Sequence, residues 1–445
     1  MNHDDKDPHD LPGIDPSILR GMSGPRISRR DLLKYAGMGA GAFGLAAFLE
    51  ACGVKGTGSA TNTPGASSSP SAGGVGSSEW WAQQTLHQKV NFANWPYYMD
   101  VYKGTHPTIQ HFQDQTGIKV TYTEPINDNI PFYTKIRPSL QAKQSTGYDI
   151  IVMTNNSPAL GYLIDFGWLT PLDHGAMKNF DANAGPLVKD PAWDPGNKYT
   201  MAWQSGWTAM AYNSSVVKEP ITSVQSLFDP KYKGKIGMPE DPQELGSIGL
   251  LAIGVEPDKS TQADWQKAAA KLQAQKPLVR KYYDQSYIGA LKNGDTVISW
   301  CWSGDIFQAN LNSKYKDLKL VFASEGAMFW TDNMCIPMYA ENPKDAMALM
   351  DYYYDPTIQA VVEYYNDYVC PVPAAKDVLL HPTGWAKPTL KQLEPSIGLP
   401  PSVTAKAPTV FPTPEVQALS RPYYQYKNQG ELDAWNNLFV PITEG

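Results

Sequence analysis

Trp330 and Asp332 stand two residues apart in Glu325-Gly326-Ala327-Met328-Phe329-Trp330-Thr331-Asp332, and the apolar Met334-Cys335-Ile336-Pro337 follows. Strand side chains alternate between faces with period two, so an aromatic and a carboxylate at this spacing share a face. Such a face offers a flat π surface beside a negative charge. An organic cation suits both, since the ring face attracts it and the carboxylate neutralises it. The same two residues also fit a core tryptophan followed by a strand-end aspartate, and the pair alone leaves both readings open. Three more groups of aromatics or carboxylates follow predicted strands: Asn94-Trp95-Pro96-Tyr97-Tyr98, Glu240-Asp241-Pro242-Gln243-Glu244 and Trp302-Ser303-Gly304-Asp305. Ligands of open α/β sheets bind at the carboxyl ends of strands, so the four groups are expected to converge.

The elements that must position them alternate from residue 88 onward. Lys89-Val90-Asn91-Phe92-Ala93-Asn94-Trp95 reads as a strand broken by Pro96, residues 108–115 as a helix closed by Gly117, and Ile118-Lys119-Val120-Thr121-Tyr122 as a second strand. Tyr133, Ile136 and Leu140 predict a helix interrupted at Pro138, and Tyr148-Asp149-Ile150-Ile151-Val152-Met153 a buried strand of the parallel kind. A helix is predicted over 159–166, and a strand over 207–212 that could cross between two lobes. The same grammar then repeats, with strands at 234–238 and 296–302, helices at 244–253, 263–272, 346–354 and 356–366, and an amphipathic tail at 423–439. This alternation predicts an α/β chain with helices packed on a mainly parallel sheet.

With 445 residues, 42% hydrophobic and 18% charged, the chain has room for two or three globular domains. A net charge of -7 without a long basic cluster argues against a nucleic-acid partner. Residues 1–51 read as a Tat-type lipoprotein signal: Ser28-Arg29-Arg30-Asp31-Leu32-Leu33-Lys34 carries the twin arginines, an apolar run follows, and Leu49-Glu50-Ala51-Cys52 resembles a lipoprotein box. Cys52 is then the lipidated residue, and 52–87, rich in Gly, Ser, Thr, Ala and Pro as far as Ser78, is expected to be a flexible tether. Of the remaining Cys301, Cys335 and Cys370, one disulfide is permitted in an exported compartment, and Cys335 with Cys370 is the preferred pairing. There is no CxxC or HExxH, so no metal or cofactor is expected. An exported hydrolase is disfavoured by the lack of a G-x-S-x-G elbow or a P-loop.

Six pieces in order carry a family resemblance: Asn94-Trp95, Thr116-Gly117-Ile118-Lys119-Val120, Tyr148-Asp149-Ile150-Ile151-Val152, Pro230-Lys231-Tyr232-Lys233-Gly234-Lys235, Trp302-Ser303-Gly304 and Phe329-Trp330-Thr331-Asp332. Together they resemble the spermidine/putrescine-binding proteins of bacterial ABC importers across nearly all of residues 88–445. The resemblance implies a two-lobed α/β periplasmic-binding-protein fold of type II, with lobe 1 in 88–204 plus 333–379, lobe 2 in 205–332 plus 380–445, and a ligand cleft between them. It implies a polyamine ligand, with Trp95 and Tyr98 in one wall, Trp302 and Trp330 boxing the aliphatic linkers, Asp241, Glu244 and Asp332 pairing with ammonium groups, Thr154 supplying a hydroxyl, and Gln425 hydrogen-bonding the ligand. Three positions depart from the family pattern: Tyr97 where a carboxylate is frequent, and Asn156 and Cys370 where tyrosines are. The implied partners are an ABC permease and ATPase, met by a monomer that touches the membrane only through its lipid, with no catalysis. The same fold used as a ligand-loaded partner of a membrane receptor, or binding another organic cation, is the alternative.

Overall fold

Ten strands, β1 (Lys89–Ala93), β2 (Lys119–Thr123), β3 (Ile150–Thr154), β4 (Thr200–Asn213), β5 (Ile236–Pro239), β6 (Val279–Tyr283), β7 (Ile298–Trp302), β8 (Leu318–Val321), β9 (Ala327–Cys335) and β10 (Ser420–Arg421), make one sheet. They are seen in a computed structural model that describes residues 74–283, 286–311 and 317–444. The path across the sheet is β2-β1-β3-β9-β4-β7-β5-β6, with β10 beside β9 and β8 beside β4. β1, β2 and β3 are mutually parallel, and so are β7, β5 and β6. Antiparallel pairing occurs where β9 and β4 lie between these two blocks. Parallel neighbours need crossover segments, here helices such as Pro107–Thr116 and Pro242–Ala252, so each block is a small α/β unit.

Two long strands join the units. β4 pairs through Thr200↔Cys335 near the first block and through Thr208↔Trp302 at the second. β9 pairs with β3 through Thr154↔Asp332 and runs back along β4 as far as Thr208↔Met328. The sequence predicted only 207–212 of β4. The strand starts at Thr200 because Thr200, Met201 and Ala202, like Gln204 and Ser205, are buried and find ladder partners on β9, while Trp203 stands at the register shift between them. Trp330 and Asp332, read as the end of a strand, lie in the middle of β9.

Each unit has its own apolar core. Val90, Phe92, Ile150, Val152 and Trp203 pack with Tyr353, Val361 and Leu390 in the first, and Ile236, Met238, Ile248, Trp265 and Leu272 with Trp435 and Phe439 in the second. Two boundaries differ from expectation. Ala386, Leu390, Leu393 and Ile397 of the helix Ala386–Ile397, and on to Phe411, pack in the first core, so the chain joins lobe 2 only after residue 411 instead of at 380. The helix Ser78–Gln83 belongs to the folded body and not to a tether: Trp81 is buried and its Nε1–H donates to the Pro171 carbonyl at 3.1 Å. The amides of His87 and Gln88 then donate to the Asp345 carboxylate, fastening the chain before β1 begins. The twin arginines and Cys52 lie outside the described residues.

Cys335 and Cys370 do not pair; with Cys301 they are buried free thiols. Each sulfur is turned to its own backbone, Cys335 donating to the Asn333 carbonyl at 3.5 Å and Cys370 to the Val372 carbonyl at 3.1 Å. Burial pushes all three thiols well above their usual range, which keeps them protonated and slow to oxidise.

The C-terminal helix Gln429–Thr443 closes the second core over the helix Pro242–Ala252. Their contact depends on Gly246, where an added Cβ would lie 2.2 Å from Trp435 Cζ2 and 2.9 Å from Phe439 Cε2. Gly246→Ala is therefore expected to lower the unfolding free energy by about 1–3 kcal/mol through overpacking, measured by urea denaturation. An unchanged midpoint would mean that the two helices are not locked.

Candidate functional site

Residues directly opposite in a ladder share a face of the sheet. On the face of β4 and β9 that carries Asp332, the rows are Gln204↔Asp332, Gly206↔Trp330 and Thr208↔Met328. These rows form a floor between the two lobes.

At the lobe 1 end of the floor, both oxygens of Asp332 accept hydrogen bonds. Tyr98 Oη donates to Oδ2 at 2.8 Å and Thr154 Oγ1 to Oδ1 at 2.6 Å. Thr154 is in turn fixed by Asn129, whose Nδ2 donates to Oγ1 at 3.0 Å and whose Oδ1 accepts the Thr154 amide at 2.9 Å. Asp332 is only 4% exposed, so it is a desolvated carboxylate aimed by two hydroxyls from two different segments of lobe 1. Tyr98 owes its place to the loop after β1, where Tyr97 takes a positive φ of 65° and donates its amide to Glu124 Oε1 at 3.2 Å.

The indole of Trp330 packs against Gly206. A Cβ on that residue would approach Cζ2 of the indole to 2.4 Å, so glycine is what lets the ring reach the floor. Tyr368 stands edge-on to Trp330 with ring centroids 5.5 Å apart and lies 5.4 Å from the ring of Tyr98. Tyr98, Tyr368 and Trp330 thus form a continuous aromatic run beside Asp332. Sequence reading missed Tyr368, having looked for a tyrosine at Cys370. The available signal was Asp367 after the helix Pro356–Asn366: a left-handed cap (φ 56°) turns the chain and aims the next side chain back at the sheet. Val369 then anchors the turn by donating its amide to the Ser205 carbonyl at 2.8 Å.

At the lobe 2 end, Asp241 and Glu244 take unequal places. Asp241 is exposed and caps the helix Pro242–Ala252, its Oδ1 accepting the amides of Gln243 at 2.9 Å and Glu244 at 3.0 Å. Glu244 is 3% exposed, and its carboxyl accepts from Tyr423 Oη at 2.6 Å, Thr208 Oγ1 at 3.0 Å and Trp300 Nε1 at 3.5 Å. Burial, aided by the charge of Asp241, pushes Glu244 up to about 7 against the pull of those three donors. Its carboxyl is engaged by lobe 2 itself and ties Tyr423 and Thr208 to the helix.

The remaining candidates are Trp95, a member of the lobe 1 core, Trp302 and Gln425. Trp95 is buried just past β1, its amide held by Asn94 Oδ1 at 2.8 Å. Trp302 is half-buried at the end of β7, edge-on to Tyr287 at 6.1 Å. Gln425 bridges the lobes, its Nε2 donating to the Asn155 and Tyr423 carbonyls at 3.3 Å each. A groove of about 540 Å³ at the outer edge of lobe 2, lined by Arg280, Lys281, Tyr283 and Asn293 among others, includes none of these residues. Among the described residues no group of three or more His, Cys, Asp or Glu is arranged to hold a metal ion.

The sequence pattern of the bacterial extracellular solute-binding protein family matches residues 108–392. The chain is 28% identical over 252 residues to the spermidine/putrescine-binding periplasmic protein 1 of Haemophilus influenzae, an alignment covering 55% of this chain and 66% of that protein. It is 29% identical over 308 residues to the putrescine/agmatine-binding protein of Pseudomonas aeruginosa, covering 65% and 78%. The crystal structure of a spermidine/putrescine ABC transporter substrate-binding protein from Streptococcus pneumoniae superposes with a TM-score of 0.64 at 23% identity, over 80% of this chain and 98% of that one. The shared architecture is the two-lobed type II fold.

Glu244 sets a pH signature. Its folded value lies near 7 and its unfolded value near 4.5, so the native state holds an extra proton between those limits. The group's contribution to stability is full below about pH 4.5 and is lost as pH rises through about 7. Glu244→Gln is expected to remove that loss, which is on the order of 2–3 kcal/mol, as read from urea titrations at about pH 5 and about pH 8. The same slope in both proteins would show that Glu244 is ionised throughout.

Proposed function

The chain belongs to the bacterial extracellular solute-binding protein family, and from that premise we propose that it captures a polyamine between its lobes and delivers it to an ABC importer. The observation that carries this reading is the setting of Asp332, a desolvated carboxylate oriented by Tyr98 and Thr154 beside the aromatic run of Tyr98, Tyr368 and Trp330. A polyamine demands both parts. Its methylenes gain about 25 cal/mol per Å² on leaving water against apolar surface, while each ammonium that leaves water needs a negative or strongly accepting partner. Trp95 and Trp302 extend the apolar walls in this reading, Asp241 and Glu244 supply the acidic end in lobe 2, and Gln425 contributes its amide. The two relatives described above are a spermidine/putrescine-binding and a putrescine/agmatine-binding protein, and the tyrosine at position 97 favours the shorter amines here.

Closure is the transport signal in this reading. β4 and β9 are the connection about which the lobes turn, so a ligand bridging both walls shifts the balance toward the closed form that a permease recognises. Export through a twin-arginine signal and anchoring through lipid on Cys52 complete the proposal, and no helix among the described residues is long and apolar enough to cross a membrane. The protein acts as a monomer.

Asp332→Asn tests the clamp with little change of shape. Calorimetric affinity for putrescine and spermidine is expected to fall roughly 30- to 1,000-fold, the loss of a buried charge partner worth about 2–4 kcal/mol, with the ligand-free melting temperature nearly unchanged. Undiminished affinity in the variant would sink the assignment, as would the absence of binding of any di- or triamine by the parent protein.

A further inference from the structure

The lobes also meet through Tyr162 and Gln429, which the ligand reading leaves unused, beside the Gln425 that it does use. The helix Pro158–Asp165 belongs to lobe 1: Ala159, Leu160 and Leu163 are buried in the first core, and Ser157 caps its start. Facing it is the start of Gln429–Thr443, which belongs to lobe 2 through Trp435 and Phe439. Between them Tyr162 Oη donates to Gln429 Oε1 at 2.6 Å. A few residues away on the same rim, Gln425 Nε2 donates to the carbonyl of Asn155, which itself exchanges hydrogen bonds with Thr331 of β9.

Both sides of this contact are stiff. Gln429 Nε2 donates to Asp433 Oδ1 at 2.7 Å, which orients its carbonyl oxygen outward to Tyr162. The segment before it is tied to lobe 2: Tyr424 Oη and the Lys427 amide both donate to Glu431 Oε2 at 2.9 Å, Asn428 caps the helix, and Tyr426 donates to Gln243. On the other side, the Tyr162 ring rests against Tyr133 at 5.6 Å and Phe166 at 6.2 Å. A hydrogen bond between two preoriented groups on opposite lobes exists only when the lobes are together. Its free energy therefore favours the closed state without favouring either fold.

We propose that the Tyr162–Gln429 hydrogen bond, supported by Gln425 on the Asn155 carbonyl, is a latch that sets the lifetime of the closed cleft. Tyr162 and Gln429 are positioning residues: neither touches the floor, and they act on the ligand through lobe closure alone. The inference rests on the cleft reading above and adds to it a control of release. Because the latch is made after the lobes meet, it acts on dissociation and leaves association almost alone.

The test is a double-mutant cycle with Tyr162→Phe and Gln429→Met, read by stopped-flow kinetics with putrescine and spermidine. Each single variant is expected to raise the dissociation rate about 2- to 10-fold, the effect of one lost hydrogen bond, with association changed by less than about twofold. The double variant is expected to be no faster than either single one, since both delete the same bond. Unchanged dissociation in the single variants, or additive effects, would overturn the latch. Small-angle scattering of the ligand-free protein separates this from the ligand assignment. If the parent protein binds neither amine, the assignment fails, and the latch then stands only if Tyr162→Phe enlarges the radius of gyration; an unchanged radius overturns it too.

Discussion

The antiparallel ladder between β4 and β9 is the constraint on which everything else in the molecule depends. Each strand contributes one half to each lobe, so the ladder is at once the spine of the sheet, the connection between two cores and the floor of the cleft. Its single irregularity, a register shift between Ala202 and Gln204, falls on the row that carries Asp332. A bulge at that point adds local twist and a break in regular pairing, which is where two rigid blocks can turn against each other. Gly206 one row on has a different task. By leaving room for the indole of Trp330 it lets a bulky ring lie on the ladder instead of being pushed off it.

Polar groups are buried along this spine at an energetic cost that a structural role alone does not require. Asp332 and Glu244 sit at opposite ends of the floor, four residues apart along β9 by their ladder rows, or about 13 Å at 3.3 Å per residue. Each has donors from its own lobe, so neither lobe needs the other to hold its acid in place. Glu363 lies inside lobe 1, fully buried; Gln359 Nε2 donates to it at 2.8 Å, and burial pushes it well above the usual carboxylate range. A neutral acid is the cheaper occupant of such a place, and Glu244 near neutral pH is poised between the two forms.

The sequence was most legible where a pattern is local. Strands such as Ile150–Thr154 and helices such as Pro356–Asn366 follow from continuous apolar runs and from proline at the first helical turn. That Trp330 and Asp332 share a face was legible too, since strand alternation dictates it, whereas the hydrogen bonds of Tyr98 and Thr154 to Asp332 were not predicted. What depended on long-range packing was not. Tyr368 reaches the site through a left-handed cap, Trp81 docks a stretch whose composition reads as a linker, and residues 386–411 join lobe 1 although they follow segments of both lobes. The thiols were misread for the same reason: pairing needs two sulfurs facing one another, and each of these faces its own backbone.

The two ends of the floor explain why a hinge is useful here at all. A rigid pocket with both acids prearranged would have to bring like charges into a low-dielectric space in the absence of any cation, and the repulsion would be strongest where solvent is scarcest. Dividing the acids between two bodies, each acid held by donors of its own lobe, keeps like charges apart when no cation is present. The aromatic run of Tyr98, Tyr368 and Trp330 can stay assembled throughout, since apolar faces repel nothing. In the polyamine reading proposed above, selectivity follows from what the closed floor demands together: positive charge at an aimed carboxylate, a flexible apolar link across the rings, and enough reach for the second lobe to gain by closing.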